Sequence, residues 1–252
     1  MNTPILTPEQ VDHYWRHGYV VVRGLVPKDV IDRVLATTLR PLPADQAYRR
    51  DSREWMPTIL DLTAPDAEFE VHEAFTTPRV IDAVEQLLDG PARCYYGMLA
   101  TVNPHGGRGL EWHQDNQYEV VLGHALNTFI ACTEITPERC NLWVSPGSHL
   151  RGVQADVGSA NHGHRKAADP GNGICLPTLA AGDACIFNRN TLHRSLTNTT
   201  DQIRHAYAAQ YSEANARVAG SADFKVPDKP LVRELAARWD AVRQRQVAAA
   251  AG

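Results

Sequence analysis

Residues 173–211 read GICLPTLAAGDACIFNRNTLHRSLTNTTDQIRHAYAAQY, and this stretch decides the fold. Three short apolar or aromatic runs, 173–176, 184–188 and 205–211, are separated by the turn signal Ala181-Gly182-Asp183 and by a polar segment around Asn198. Nothing between them has the length or the 3.6-residue spacing of a crossover helix, so neighbouring runs are expected to pair antiparallel. The same texture extends backwards through 142–144, 128–134 and 119–122 to 93–102, with Pro146-Gly147 and Asn103-Pro104 as punctuation. These runs predict a jelly-roll-like barrel over about 91–212. The longest irregular stretch, 151–171, is rich in Gly, His, Asp and Asn and exceeds a simple connection, which makes it a lid, a binding loop or a disordered segment.

Upstream of Gly90 the period changes. Thr7-Pro8-Glu9-Gln10 combines an N-cap, a proline suited to the first helical position and a Gln able to reach back, so a helix opens there and stops near Gly18. A short strand over 19–23 follows. A second helix starts at Val26-Pro27-Lys28-Asp29 and ends before Pro41-Leu42-Pro43, 44–65 reads as irregular, and 66–88 is helical with a break at Pro78. The tail carries a further helix over about 230–248. The class is mostly β with flanking α-helices, and the whole chain, 1–252, is expected to be one domain with a helical N-terminal part of about 1–90.

Composition limits the function. The 29 acidic and 25 basic residues give a formal charge of −4, with no Lys/Arg block of the kind that neutralises phosphates, so nucleic acid is not an expected partner. The N-terminus lacks a basic segment followed by an apolar run, and no stretch approaches ~18 uninterrupted apolar residues, so neither export nor a membrane is expected and a cytoplasmic location is. The 5 cysteines are odd in number and free of CxxC spacing, which fits reduced thiols. A chain of 252 residues can bury enough surface to fold without a metal staple, so any metal is expected to serve function.

The sharpest local chemistry is Glu111-Trp112-His113-Gln114-Asp115. In extended backbone, residues two apart share a face, so His113 and Asp115 can supply adjacent ligands to one metal while Gln114 turns away. Asn190-Thr191-Leu192-His193, after the 184–188 run, offers a second imidazole. Two His and one carboxylate on three corners leave open coordination positions, the facial arrangement of non-haem Fe(II) oxygenases. Arg204, 11 residues beyond His193, opens the next run with a planar fork suited to a carboxylate.

With these residues in place the sequence resembles the phytanoyl-CoA dioxygenase-like family of Fe(II)- and 2-oxoglutarate-dependent oxygenases. The resemblance is carried by Trp112-His113-Gln114-Asp115, Val144-Ser145-Pro146-Gly147-Ser148-His149 with Gly152, Ala181-Gly182-Asp183, and His193-Arg194-Ser195-Leu196-Thr197-Asn198 continuing to Arg204. The opening Gly18-Tyr19-Val20-Val21-Val22-Arg23-Gly24-Leu25 is also similar to that family, and the match covers roughly residues 8–212. It implies a double-stranded β-helix (jelly-roll, cupin-like) core. It also implies iron on His113, Asp115 and His193, Arg204 on the distal carboxylate of 2-oxoglutarate, Asn127 and Ser195 as further contacts to that cosubstrate, and O2 as oxidant. The chain departs from the family at Cys140-Asn141-Leu142, where an Asn-Gly turn is frequent. Asp115 is retained where halogenating relatives carry a small residue, which favours hydroxylation of a small-molecule substrate.

Other residues have plainer readings. His149 sits in a Pro-Gly turn, His162 and His164 in a polar loop, and Arg49, Arg50 and Arg53 in a basic cluster read as solvated. His205 should face away from Arg204 across its strand. Tyr95, Tyr96, Met98 and Trp143 are expected to fill the core. The same site could also serve desaturation, epimerisation, cyclisation or carbon–phosphorus bond oxidation. Outside that chemistry the alternatives are a cupin-type metal-dependent isomerase or hydrolase and a non-catalytic small-molecule or metal-binding barrel. The sequence names neither the substrate nor the oligomeric state.

Overall fold

The computed structural model describes residues 4–39, 56–158, 164–220 and 229–251; Pro41-Leu42-Pro43, Arg49, Arg50, Arg53 and His162 lie outside them. The helices are α1 (Pro8–His17), α2 (Lys28–Thr38), α3 (Phe69–His72), α4 (Pro78–Leu88) and α5 (Val232–Ala251). The strands are β1 (Tyr19–Val22), β2 (Met56–Ile59), β3 (Ala92–Val102), β4 (Val121–Leu122), β5 (Ala125–Ala131), β6 (Leu142–Val144), β7 (Ile174–Cys175), β8 (Ala184–Asn188), β9 (His193–Ser195), β10 (Arg204–Glu213) and β11 (Arg217–Val218).

Local chemistry sets the helix ends. Thr7 caps α1 with both hydrogen bonds of a capping box, Pro8 sits in its first turn, and Gly18 ends it at φ 81°, where a side chain would be strained and would meet His149. Pro78 opens α4 instead of breaking a longer helix, so the predicted 66–88 segment is α3, a 3-10 turn over Glu73–Thr76, and α4.

The main sheet has six strands in the order β1-β8-β5-β10-β3-β2, paired antiparallel throughout. A second sheet, β7-β6-β9, lies opposite. Alternation along the central strands sorts residues between two faces. Leu126, Ile130, Ala184, Ile186, Tyr207 and Tyr211 pack outward with Phe75, Val84 and Trp239 of the helical layer. Phe129, Cys185, Phe187 and Ala206 point inward and pack with Leu142 and Val144 of β6. The buried carboxylate of Glu73 accepts from Arg33 at 2.8 Å and from Arg243 at 2.6 Å, tying α2 and α5 to the turn between α3 and α4.

The Ala181-Gly182-Asp183 turn is structural. Gly182, at φ 91°, lies where a Cβ would stand 2.4 Å from the Val26 carbonyl, and Asp183 accepts from the Gly24 and Ala180 backbone and from Arg23. The turn thereby welds β1 to the start of β8. The structure adds strands that the pattern did not single out. β2 contains Pro57 and is tolerated because it lies at the sheet edge, and β9 is too short to show a period. Trp143 is half-buried and, facing away from the barrel interior, packs on the smaller cluster of Trp112, Ala167 and Leu192. No helix among the described residues is long and apolar enough to cross a membrane.

Candidate active site

His113 and His193 face each other as a small antiparallel bridge, each backbone N–H donating to the other's carbonyl at 3.0 Å. The imidazoles are held in the same way. His113 Nδ1 is 2.7 Å from the Glu111 carbonyl and His193 Nδ1 is 3.0 Å from that of Thr191, in each case the residue two positions earlier. A carbonyl can only accept, so each Nδ1 carries a proton, which leaves Nε2 as the nitrogen available for a metal. Burial, followed by the neighbouring His193, pushes the His113 pKa down to about 4, which keeps that ring neutral near pH 7.

Asp115 opens a 3-10 turn, and its Oδ1 lies 3.8 Å from His113 Nε2. Ligand atoms of His113, Asp115 and His193 all lie within 4.8 Å of one another, and they form the group of this kind found among the described residues. Two imidazoles and one carboxylate, each oriented by a partner outside the cluster, fit Fe(II) in a facial site. Gln114 turns away from the cluster, accepting from Gln154 N–H and donating to the Gly152 and Asn190 carbonyls. Ser148, in the Pro-Gly turn, accepts from Leu192 N–H at 2.8 Å and so steadies the approach to His193. His149 contacts the Trp15 carbonyl and lies outside the cluster.

The three ligands open into a cavity of about 470 Å³ that is also lined by Arg204, Ser195, Asn127 and Met98. Arg204 is 3% exposed and pairs with no carboxylate among the described residues. Its Nη atoms reach the Ala100 carbonyl at 3.4 Å and Cys140 Sγ at 3.5 Å, and its Nε has no partner. Ala100 is the register partner of Ala206, and the guanidinium lies 5.4 Å from the centroid of Phe129, the partner of Ala208. The side chain therefore extends along β10 toward the metal ligands, over small residues that leave room. A buried, uncompensated guanidinium aimed into a cavity suits a carboxylate.

Ser195 and Asn127 are less direct. The Ser195 hydroxyl lines the cavity while accepting from Leu110 N–H at 3.2 Å. Asn127 spends its amide on Asp115 Oδ2 at 2.5 Å, and its own Oδ1 has no partner. Asn127 thus meets the carboxylate first, a contact that no local sequence signal announces. Arg189 was also not singled out by the sequence. It is buried at the end of β8 and donates to Asn116 Oδ1 and to the Asp115 carbonyl. Its position one residue beyond a strand that leads to a ligand was the available hint. Tyr96 and Met98 line the cavity, and His205 faces away from it, bonded to Thr101. The described parts of 151–171 fold over the ligand segment: Ala167 N–H donates to the Trp112 carbonyl at 2.7 Å, and His164 lines the cavity 3.3 Å from the Tyr118 hydroxyl.

The comparisons bear on this geometry. The sequence matches the family model for phytanoyl-CoA dioxygenase (PhyH) over residues 14–206. It is 31% identical over 121 residues to phytanoyl-CoA dioxygenase domain-containing protein 1 of Bos taurus, covering 44% of this chain and 42% of the relative. The matched part therefore spans less than half the length of that curated protein. A methylphosphonate hydroxylase of Gimesia maris is 26% identical over 224 residues, covering 84% of this chain and 82% of the relative. Among solved structures, the epimerase SnoN in complex with Fe3+, alpha ketoglutarate and nogalamycin RO superposes with a TM-score of 0.68 at 20% identity, covering 89% of this chain and 98% of that one. The shared fold is the double-stranded β-helix.

Proposed function

The chain belongs to the phytanoyl-CoA dioxygenase family, and from that membership we propose that it is an Fe(II)- and 2-oxoglutarate-dependent dioxygenase that hydroxylates a C–H bond of a small molecule, with succinate and CO2 as co-products. The observation that carries this reading is the meeting, in one cavity, of three convergent ligand atoms and a buried guanidinium without a carboxylate of its own. When bound, iron with 2-oxoglutarate and O2 supplies the oxidising power.

The chain's own residues do the rest. His113 and His193 hold the metal through Nε2, because each Nδ1 proton is committed to a backbone carbonyl. Asp115 offers Oδ1 while Asn127 pins Oδ2. Arg204 grips the distal carboxylate of the cosubstrate, and the Ser195 hydroxyl, on the same cavity wall, contacts it too. Asn127 acts through Asp115 and is a positioning residue. Tyr118 and His164, at the folded-over part of 151–171, limit water access to the reacting centre. The free thiols at Cys94, Cys132, Cys140, Cys175 and Cys185 suit a reducing cytoplasm, where we place the protein.

Retention of Asp115 favours hydroxylation over halogenation. The likeness to an epimerase supports a second outcome at the same site, which product analysis separates. Protein purified without metal and supplied with Fe(II) should release succinate from 2-oxoglutarate, and Asp115→Ala should abolish both tight iron binding and succinate release. Full iron affinity and succinate release in Asp115→Ala would overturn the reading.

A further inference from the structure

The end of the cavity away from Arg204 holds two cations on one ring. Arg189 Cζ lies 4.7 Å and Lys229 Nζ 5.7 Å from the centroid of Tyr95. Both side chains line the same cavity as the metal ligands. Arg189 is 3% exposed, and its hydrogen bonds all go to neutral acceptors: Asn116 Oδ1 at 2.9 Å, the Asp115 and Glu119 carbonyls at 3.3 Å, and Gln210 Oε1. The carboxylates that act on it through space are Asp115, committed to the metal ligands, and Glu119, exposed at the cavity mouth. Lys229 makes no ion pair among the described residues.

This placement is built into the backbone. The register of β10 against β3 slips between Gln210 and Tyr211, leaving Tyr95 unpaired, so that Tyr95 and Tyr96, adjacent in sequence, both line the cavity. The Lys229 carbonyl accepts from Arg93 at 2.6 Å, and the next carbonyl, of Pro230, accepts from Cys94 N–H at 2.9 Å. Lys229 is thereby tethered beside the bulge. Gln210, which receives Arg189, stands six residues from Arg204 along β10, and the Arg204 guanidinium reaches as far as Phe129, the partner of Ala208. Arg189 and Arg204 thus hold different partners, Asn116 and Gln210 for the one and Ala100 and Cys140 for the other, and in the function proposed above the Arg204 side is occupied by cosubstrate. Two like charges on one buried ring repel, and an anion that meets Lys229 would relieve that repulsion.

We propose that Lys229, backed by the charge of Arg189, binds an anionic group of the substrate, a carboxylate or a phosphonate or phosphate, whose body lies against Tyr95, Tyr96 and Tyr118. This deepens the function proposed above and rests on it: the molecule oxidised is a small organic anion.

The test uses the protein loaded with Fe(II) and saturating 2-oxoglutarate under nitrogen, so that Arg204 is already occupied. A panel of arylalkyl and alkyl carboxylates, phosphonates and phosphate esters, each matched to a neutral amide or ester of the same body, is screened by ligand-observed NMR. Anions are expected to bind on the order of tenfold or more tighter than their neutral partners, and Lys229→Gln to erase the difference while Lys229→Arg restores it. The carboxylate and phosphonate arms identify which head group is preferred. Equal binding by the matched pairs, no binding by any anion, or an anion preference unchanged in Lys229→Gln would each overturn the proposal. The visible band of the iron–2-oxoglutarate complex is read first in the same sample. Its absence counts against the iron reading, whereas a band without a Lys229-dependent preference counts against this inference alone.

Discussion

The two faces of the six-stranded sheet are built from the same strands and have opposite characters. On β10, Tyr207 and Tyr211 point to the helical layer and are fully buried against Phe75, while Arg204 and Ala206 point to the cavity. On β5, Leu126 and Ile130 face the helices and Asn127 and Phe129 face the barrel interior. The helical face consists of large side chains in close contact, including the Phe75–Tyr207 stack at 5.5 Å. The cavity face sets the small Ala100, Ala206 and Ala208 beside Phe129 and leaves Arg204 Nε and Asn127 Oδ1 without partners. A period of two thus lets one strand stabilise the fold with one set of residues and bind with the other.

Substitutions on the two faces should separate cleanly. Phe75→Ala removes a ring that also meets Tyr211 and Trp239, and should cost about 3–5 kcal/mol in chemical denaturation while leaving turnover per folded molecule nearly unchanged. A comparable loss of turnover per folded molecule would show that the helical face also shapes the site. On the other face, Asn127→Ala frees Asp115 Oδ2 and should weaken Fe(II) binding about 10–100-fold, with a smaller loss of stability than Phe75→Ala. Metal titration that finds unchanged affinity would remove Asn127 from the positioning role.

The smallest effect is a slope. Burial lowers the pKa of His72 and His205, on the helical side, and of His113, on the cavity side, to about 4. The unfolded chain binds these protons near pH 6.5 and the folded chain does not. Stability of the metal-free protein is therefore full above about pH 6.5 and declines as pH falls toward 4, by no more than about 1.4 kcal/mol per pH unit for each histidine. His113→Gln should flatten that decline by one histidine's share in denaturation measured across pH 4–7. An unchanged slope would mean that His113 is not held neutral by burial.

Much of this was legible in the sequence because it depends on neighbours in the chain. The Thr7 cap, the Gly18 stop and the β8 bounds are set by residues within a few positions. The His113, Asp115 and His193 cluster was also readable, since His-x-Asp spacing and a strand end are local features, and the structure brings the three together. What escaped depends on contacts between distant segments. β2 is a strand because β3 offers it an edge, and its own Met56-Pro57 gives no such signal. Asn127 touches Asp115 because β5 passes beneath the 3-10 turn, and Trp143 is half-buried because Arg194 lies 4.8 Å from its centroid and 4.7 Å from that of Trp112. The pair of cations at Tyr95 needed the bulge in β3, which no residue pattern marks.

The most direct test of the cavity face is the weak visible charge-transfer band formed when Fe(II) and 2-oxoglutarate are added without air. The parent protein should show it, Asp115→Ala should lose it together with the metal, and Arg204→Ala should keep iron but need far more 2-oxoglutarate to form it. No band and no retained iron in the parent, or a band indifferent to both substitutions, would contradict the assignment of this cavity to iron and 2-oxoglutarate.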